Sequence, residues 1–151
     1  MVSAIDELLE RSRAELDRVA PQDLAAEVAA GALVVDIRPF EQRSRDGELA
    51  GAVVIDRNVL EWRLTPSSPW RIDGIDPARR VILVCNQGFS SSLAAATLRG
   101  LGLRFATDLD GGFQALSGLG RQPGGWLPTG RPVACVDGAA PGSGTDRAHG
   151  D

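Results

Sequence analysis

The sequence predicts an α/β fold: a mostly parallel sheet flanked by helices on both faces, preceded by an N-terminal helical extension. Three observations predict it. Short apolar runs of strand length recur at Leu33–Ile37, Val53–Asp56, Val81–Val84 and Phe105–Leu109, and uninterrupted apolar runs mark strands buried on both faces. Between them lie segments of helical character, the crossovers that parallel neighbours need. Gly and Pro punctuate the boundaries.

The elements follow in order. Ile5 to Val19 carries apolar residues at helical spacing, with Ser3 as N-cap and Asp6 and Glu7 in the first turn. Its apolar stripe is expected to pack on the domain. Pro21 opens a second helix, Gln22 to Ala30, which Gly31 stops. After the first strand, Pro39 to Arg45 reads as a short polar helix. Asn58 to Leu64 reads as a helical turn, and Thr65 to Asp76, rich in Pro, Ser and Gly, as a loop. Ser91 to Arg99 is an Ala-rich helix ended by Gly100, and Gly112 to Ser117 a last short helix.

Three parts are expected: a helical extension over 1–30, one domain over 31–120, and a C-terminal extension over 121–151. The Gly/Ala/Ser-rich stretch from about 138 has almost nothing apolar to bury and is expected to be disordered. Trp126 offers a local packing point before it. The 151 residues are 43% hydrophobic, enough for one packed core. A net charge of −4 gives no support to nucleic-acid binding. No apolar run is long enough for a membrane span and no targeting signal is evident, so a cytoplasmic location is expected. The single histidine, His149, lies in the tail, and no metal-ligand spacing exists; neither a metal nor an organic cofactor is called for.

Cys85 is the candidate catalytic residue. It ends the Val81–Val84 run and precedes Asn86-Gln87-Gly88-Phe89-Ser90-Ser91-Ser92, then a helix. A thiol there sits at the carboxyl end of a buried strand, below a helix N-terminus whose free N–H groups and dipole favour the thiolate. Gly88 supplies the backbone freedom of a cradle, and the serines offer an N-cap and hydroxyl donors. The loop from Asn86 to Ser91 thus forms a candidate anion-binding site. The alternative is a buried structural cysteine.

Four segments, in order from Gly31 to Leu119, resemble a rhodanese homology domain. Leu33-Val-Val-Asp36-Ile-Arg38-Pro39 resembles the first core strand with its Asp-x-Arg ending. Gly47-Glu48-Leu49-Ala50-Gly51-Ala52 resembles the Gly-His-Ile-Pro-Gly-Ala segment, with Glu48 at the His position. Val81 to Gly102 resembles the strand, active-site loop and following helix. Leu109-Asp110-Gly111-Gly112 resembles the Leu-x-Gly-Gly segment. The resemblance implies sulfur transfer through a persulfide on Cys85, from a small sulfur donor to a thiol, cyanide or protein acceptor. The family's loop usually reads Cys-x-x-Gly-x-Arg; here Ser90 stands at the Arg position. Arg offers several fixed donors and a full charge, Ser one hydroxyl. That departure motivates a second reading, a catalytically weak rhodanese-like binding module. A cysteine phosphatase, whose loop Arg would fall at Ser91, fits less well.

Other residues are weighed against ordinary structural roles. Asp36 and Arg38 leave their strand beside the site, to shape the loop or to pair architecturally. Glu48 is either a base or, more in keeping with its type, a solvated surface carboxylate. Arg57 and Arg63 are candidates for the charge missing at Ser90. Phe89 is expected to rim the entrance, and Trp62 and Trp70 to wall it or to pack elsewhere. Cys135 lies near the C-terminal end, with nothing to bring it to Cys85. Gly111-Gly112 reads as a turn opening the next helix, since its spacing matches no phosphate loop.

Overall fold

The computed structural model describes residues 1–120, together with the backbone of residues 128–129 and 135–136. The elements run α1 (Ala4–Ala14), α2 (Leu24–Ala29), β1 (Leu33–Asp36), α3 (Phe40–Asp46), β2 (Glu48–Leu49), β3 (Val53–Ile55) and α4 (Leu60–Leu64). They continue with β4 (Val81–Val84), α5 (Ser90–Gly100), β5 (Ala106–Asp108), α6 (Gly112–Gly118), β6 (Pro128–Thr129) and β7 (Cys135–Val136). The central sheet has the order β5–β4–β1–β3–β7, and every neighbouring pair is parallel. Strand β2 pairs antiparallel with β6.

Alternation along the strands builds two cores. Val35, Val81, Leu83 and Ala106 face one side, where Leu60 and Leu64 of α4 and Ala94, Ala95 and Leu98 of α5 cover them. Val34, Ile82 and Val84 face the other, under Leu24 of α2 and Phe113 and Leu116 of α6. All four side chains of β4 are buried, as a strand covered on both faces requires. Each such Val, Leu or Ile contributes roughly 1.5–3 kcal/mol by leaving water. Because the strands are parallel and in register, with Asp36 opposite Val84 and Leu83 opposite Asp108, their carboxyl ends share one edge. Asp36, Cys85 and Asp108 are thereby gathered at that edge.

The expected first helix is cut short. Its start has the reciprocal capping box between Ser3 and Asp6, but it stops at Ala14 instead of running to Val19. The Val19 N–H donates to the Asp108 carbonyl at 3.0 Å, and the Asp110 N–H donates to the Val19 carbonyl at 2.8 Å. The segment therefore lies beside β5 as an extra bridge. That pairing buries Val19 and brings Leu16 against the core. A continued helix would do neither. Helix α1 lies on α5 but buries no residue, and Ile5 and Leu8 stay exposed.

Strands β2, β6 and β7 have no sequence counterpart, since two-residue strands are too short to show a period. The expectations for disorder from about 138, for Trp126 and for His149 lie outside the described residues, as does the side chain of Cys135.

Candidate active site

Cys85 follows β4 directly and is 5% exposed. The N–H groups of Gly88 and Ser91 donate to its Sγ at 3.1 and 3.4 Å, and the thiol donates to Ser91 Oγ at 3.1 Å. This cradle depends on glycine. Gly88 has φ +84°, and a Cβ there would stand 2.8 Å from the Gly111 nitrogen. The loop's carbonyls are tied off from below: the Phe113 N–H donates to the Cys85 carbonyl at 2.8 Å, and the Gln114 N–H to the Asn86 carbonyl at 3.0 Å. With its carbonyls held by α6, the loop turns N–H groups toward the sulfur, an anion-binding concavity.

Burial pushes the Cys85 thiol up, but hydrogen bonds more than offset it. The Ser91 and Gly88 amides, which donate to the sulfur, and the Ser90 hydroxyl bring its pKa below the ordinary value. Thiolate is the nucleophilic form, so the site favours reaction at sulfur.

The serines act differently from expectation. Helix α5 begins at Ser90, and its N-cap position, Phe89, makes no side-chain cap. The buried hydroxyls of Ser91 and Ser92 instead donate to Asp108 Oδ2 at 2.7 and 2.8 Å. Asp108 is fully buried at the end of β5 and paired with Arg18, whose Nε lies 2.9 Å from Oδ1. The result is a chain of polar contacts, Cys85–Ser91–Asp108–Arg18. Burial works against the Arg18 charge, but the hydrogen bond and attraction from Asp108, with smaller contributions from Asp110 and Cys85, leave its pKa raised. Arg13 adds hydrogen bonds to Ser92 Oγ at 3.0 Å and to the Gly88 carbonyl at 2.6 Å. Sequence reading missed all three of these charged residues. Asp108 alone carried a signal, because a carboxylate inside an apolar strand needs a partner.

A cleft of about 260 Å³ opens on the sulfur, lined by Ile37, Arg38, Pro39, Gln42, Cys85, Asn86, Gln87, Phe89 and Ser90. Phe89 is 57% exposed at its rim. Asp36 and Arg38 form a buried pair, with Nη2 to Oδ2 at 2.9 Å. The same Arg38 Nη2 reaches the Gly47 carbonyl at 2.9 Å, and the guanidinium lies 3.6 Å above the Phe113 ring. This pair ties the end of β1 to the turn before β2 and to α6. Arg38 Nη1 is buried without a partner.

Glu48 is not a solvated carboxylate. It is 6% exposed, and its Oε1 accepts from Arg43 Nη1 at 2.9 Å. Pairing of β2 with β6 turns it inward, and burial then demands the ion pair. Arg57 pairs with Glu61, four residues on. Arg63 donates to the Trp70 carbonyl at 2.8 Å. Neither arginine lines the cleft, nor do Trp62 and Trp70, which are 57% and 40% exposed elsewhere. Among the described residues no acidic, His or Cys cluster could hold a metal ion, and no helix is long and apolar enough to cross a membrane.

The family model described as "Rhodanese-like domain" matches residues 20–118. A thiosulfate sulfurtransferase, GlpE, from Pseudomonas entomophila is 35% identical over 101 residues, spanning 66% of this chain and 84% of that protein. Among solved structures, a Rhodopseudomonas palustris protein of unknown function, described as a possible tyrosine phosphatase, superposes with a TM-score of 0.70. It is 27% identical, over 80% of this chain and 93% of that one. The polysulfide-sulfur transferase homodimer of Wolinella succinogenes shares the fold with a TM-score of 0.62 at 21% identity, over 77% of this chain and 83% of that one. The chain belongs to the rhodanese-like domain family.

Proposed function

We propose that this protein is a sulfurtransferase that carries sulfane sulfur on Cys85. The observation that carries the reading is the Cys85 Sγ itself, held by two backbone N–H groups at the carboxyl end of β4 and opening on a cleft. The names of the curated relatives, thiosulfate sulfurtransferases, support the reaction class. The Cys85 thiolate attacks the outer sulfur of a donor such as thiosulfate. A new S–S bond forms, the donor's own S–S bond breaks, and sulfite leaves with the electron pair. Cyanide, a thiol or a protein thiolate then attacks the terminal sulfur of the persulfide and regenerates the thiolate. The loop amides stabilise the anionic sulfur in both halves of this two-step cycle. A free thiol whose pKa is lowered in this way suits a reducing cytoplasm.

One observation favours a second reading, a binding module with little activity. Among the described residues the only cationic side chain lining the cleft is Arg38, and it is paired with Asp36, so a dianion meets no unpaired charge from them. Intact-mass measurement after exposure to thiosulfate, with and without reductant, separates the two. A reductant-labile gain of one sulfur mass in the wild type, absent in Cys85→Ser, together with thiocyanate formation, is expected of the enzyme. Sulfur transfer that persists in Cys85→Ser ends the persulfide mechanism. No sulfur uptake from thiosulfate or polysulfide leaves the binding module.

A further inference from the structure

The hydrogen bonds to Cys85 come from its own loop, but the charge beside that loop comes from the N-terminal segment. Two guanidinium donors converge on one atom, the Gly88 carbonyl oxygen: Arg13 Nη2 at 2.6 Å and Arg18 Nη2 at 2.9 Å. The N–H of the same residue donates to Cys85 Sγ at 3.1 Å. Holding the carbonyl from behind restrains Gly88 in its positive-φ conformation and keeps the N–H on the sulfur.

The two arginines are not equivalent. Arg18 is balanced by Asp108 and Asp110, at 2.9 and 3.0 Å. Among the described residues Arg13 has no carboxylate within ion-pair distance. Its close contacts are neutral: the Gly88 carbonyl, the Ser92 hydroxyl and the face of Phe89, whose centroid is 5.5 Å away; the carboxylates facing the same hollow, Asp6 and Glu10 of its own helix, lie beyond ion-pair distance. A half-buried guanidinium without a counter-ion leaves a net positive field. Here that field falls on the loop that carries the nucleophile. Both arginines precede residue 20, where the family match begins.

We propose that Arg13 and Arg18 are positioning residues of the Cys85 site. They pin the Gly88 carbonyl outward, and the uncompensated charge of Arg13 stabilises the anionic sulfur from behind the loop. The inference rests on the reading of Cys85 as sulfur carrier. Arg13 is the residue to test, because removing Arg18 would strand the buried Asp108.

The test is the pH dependence of iodoacetamide alkylation at Cys85 in the full chain, followed by peptide mapping. Wild type is compared with Arg13→Gln and Arg13→Lys, each checked by circular dichroism, with Arg13→Met in reserve should Arg13→Gln not fold. Sulfur transfer to cyanide is measured in parallel. The rate near neutral pH should fall roughly threefold to tenfold in Arg13→Gln, the size of one partly screened charge acting over several ångströms. The profile should move to higher pH, and Arg13→Lys should keep most of the wild-type behaviour.

An unchanged profile in folded Arg13→Gln overturns the proposal, and equal losses in Arg13→Lys and Arg13→Gln overturn the role of charge. If the profile moves but no variant, nor wild type, transfers sulfur, the positioning role stands and the sulfurtransferase reading falls. If Cys85 is inert in folded wild type, both fall.

Discussion

Gly112→Ala tests the packing that shapes the Cys85 loop. Gly112 has φ +62°, and a Cβ built there would lie 2.5 Å from the Cys85 carbonyl oxygen, 2.7 Å from the Gly88 nitrogen and 2.8 Å from the Asn86 carbonyl carbon. All three are backbone atoms, so no side-chain rotation relieves the clash. A left-handed backbone costs an L-residue about 1–2 kcal/mol, and overpacking typically adds about 1–3 kcal/mol. Near the middle of that range, about 3 kcal/mol, the melting temperature should drop by roughly 10–15 °C in a domain of this size. Because the new methyl presses on the carbonyl of Cys85 itself, the loop must shift, and alkylation of Cys85 should slow as well. Gly118→Ala is the control: it lies in the same helix, with no atom of the described residues beyond its own helix backbone and chain neighbours within 4 Å of the added Cβ, and no positive φ. It should be neutral or stabilising, by up to about 1 kcal/mol. Urea denaturation followed by circular dichroism, with alkylation kinetics on the same samples, measures both effects. Gly112→Ala within about 0.5 kcal/mol of wild type, with unchanged Cys85 reactivity, would refute the account of a loop held against α6.

Two further outcomes are expected. Ser90→Arg places a multi-donor cation at the exposed start of α5, on the cleft. A charge-assisted hydrogen bond of about 1.5–3 kcal/mol should lower the KM for thiosulfate roughly tenfold to a hundredfold, with Cys85 still required; steady-state thiocyanate formation checks it, and no change in a folded variant counts against the cleft as the donor site. The second concerns pH. The folded Cys85 thiol titrates below its ordinary value of 9.0, so its ionisation favours the folded state. That stability is absent below the lowered folded pKa, grows as pH rises toward the ordinary value, and is fully present above it. The stability difference between wild type and Cys85→Ser should therefore increase as pH rises toward 9.0 in urea titrations, and a flat difference would mean that the thiol is not depressed.

Much of this protein was legible before folding. Runs such as Val81–Val84 are apolar at every position, and only a strand covered on both faces buries such a run, so the layered α/β fold followed from pattern alone. The place of Cys85 followed too, because a residue that ends a parallel strand and precedes a helix must sit at the strand's carboxyl end. Gly88 in the cradle and Gly111-Gly112 at the start of α6 read correctly as turn positions for the same local reason. Tertiary structure decided what depended on partners far along the chain. Arg18 and Asp108 are ninety positions apart and meet only because Val19 pairs beside β5. That meeting ended the first helix early and drew the Ser91 and Ser92 hydroxyls away from a capping role. Glu48 looked solvated until β2 turned it inward onto Arg43. Local sequence sets backbone conformation and hydrophobic period, which act over a few residues. The partner of a charge is set by which distant strands and segments the core brings side by side, and that is where the polar chain behind Cys85 is built.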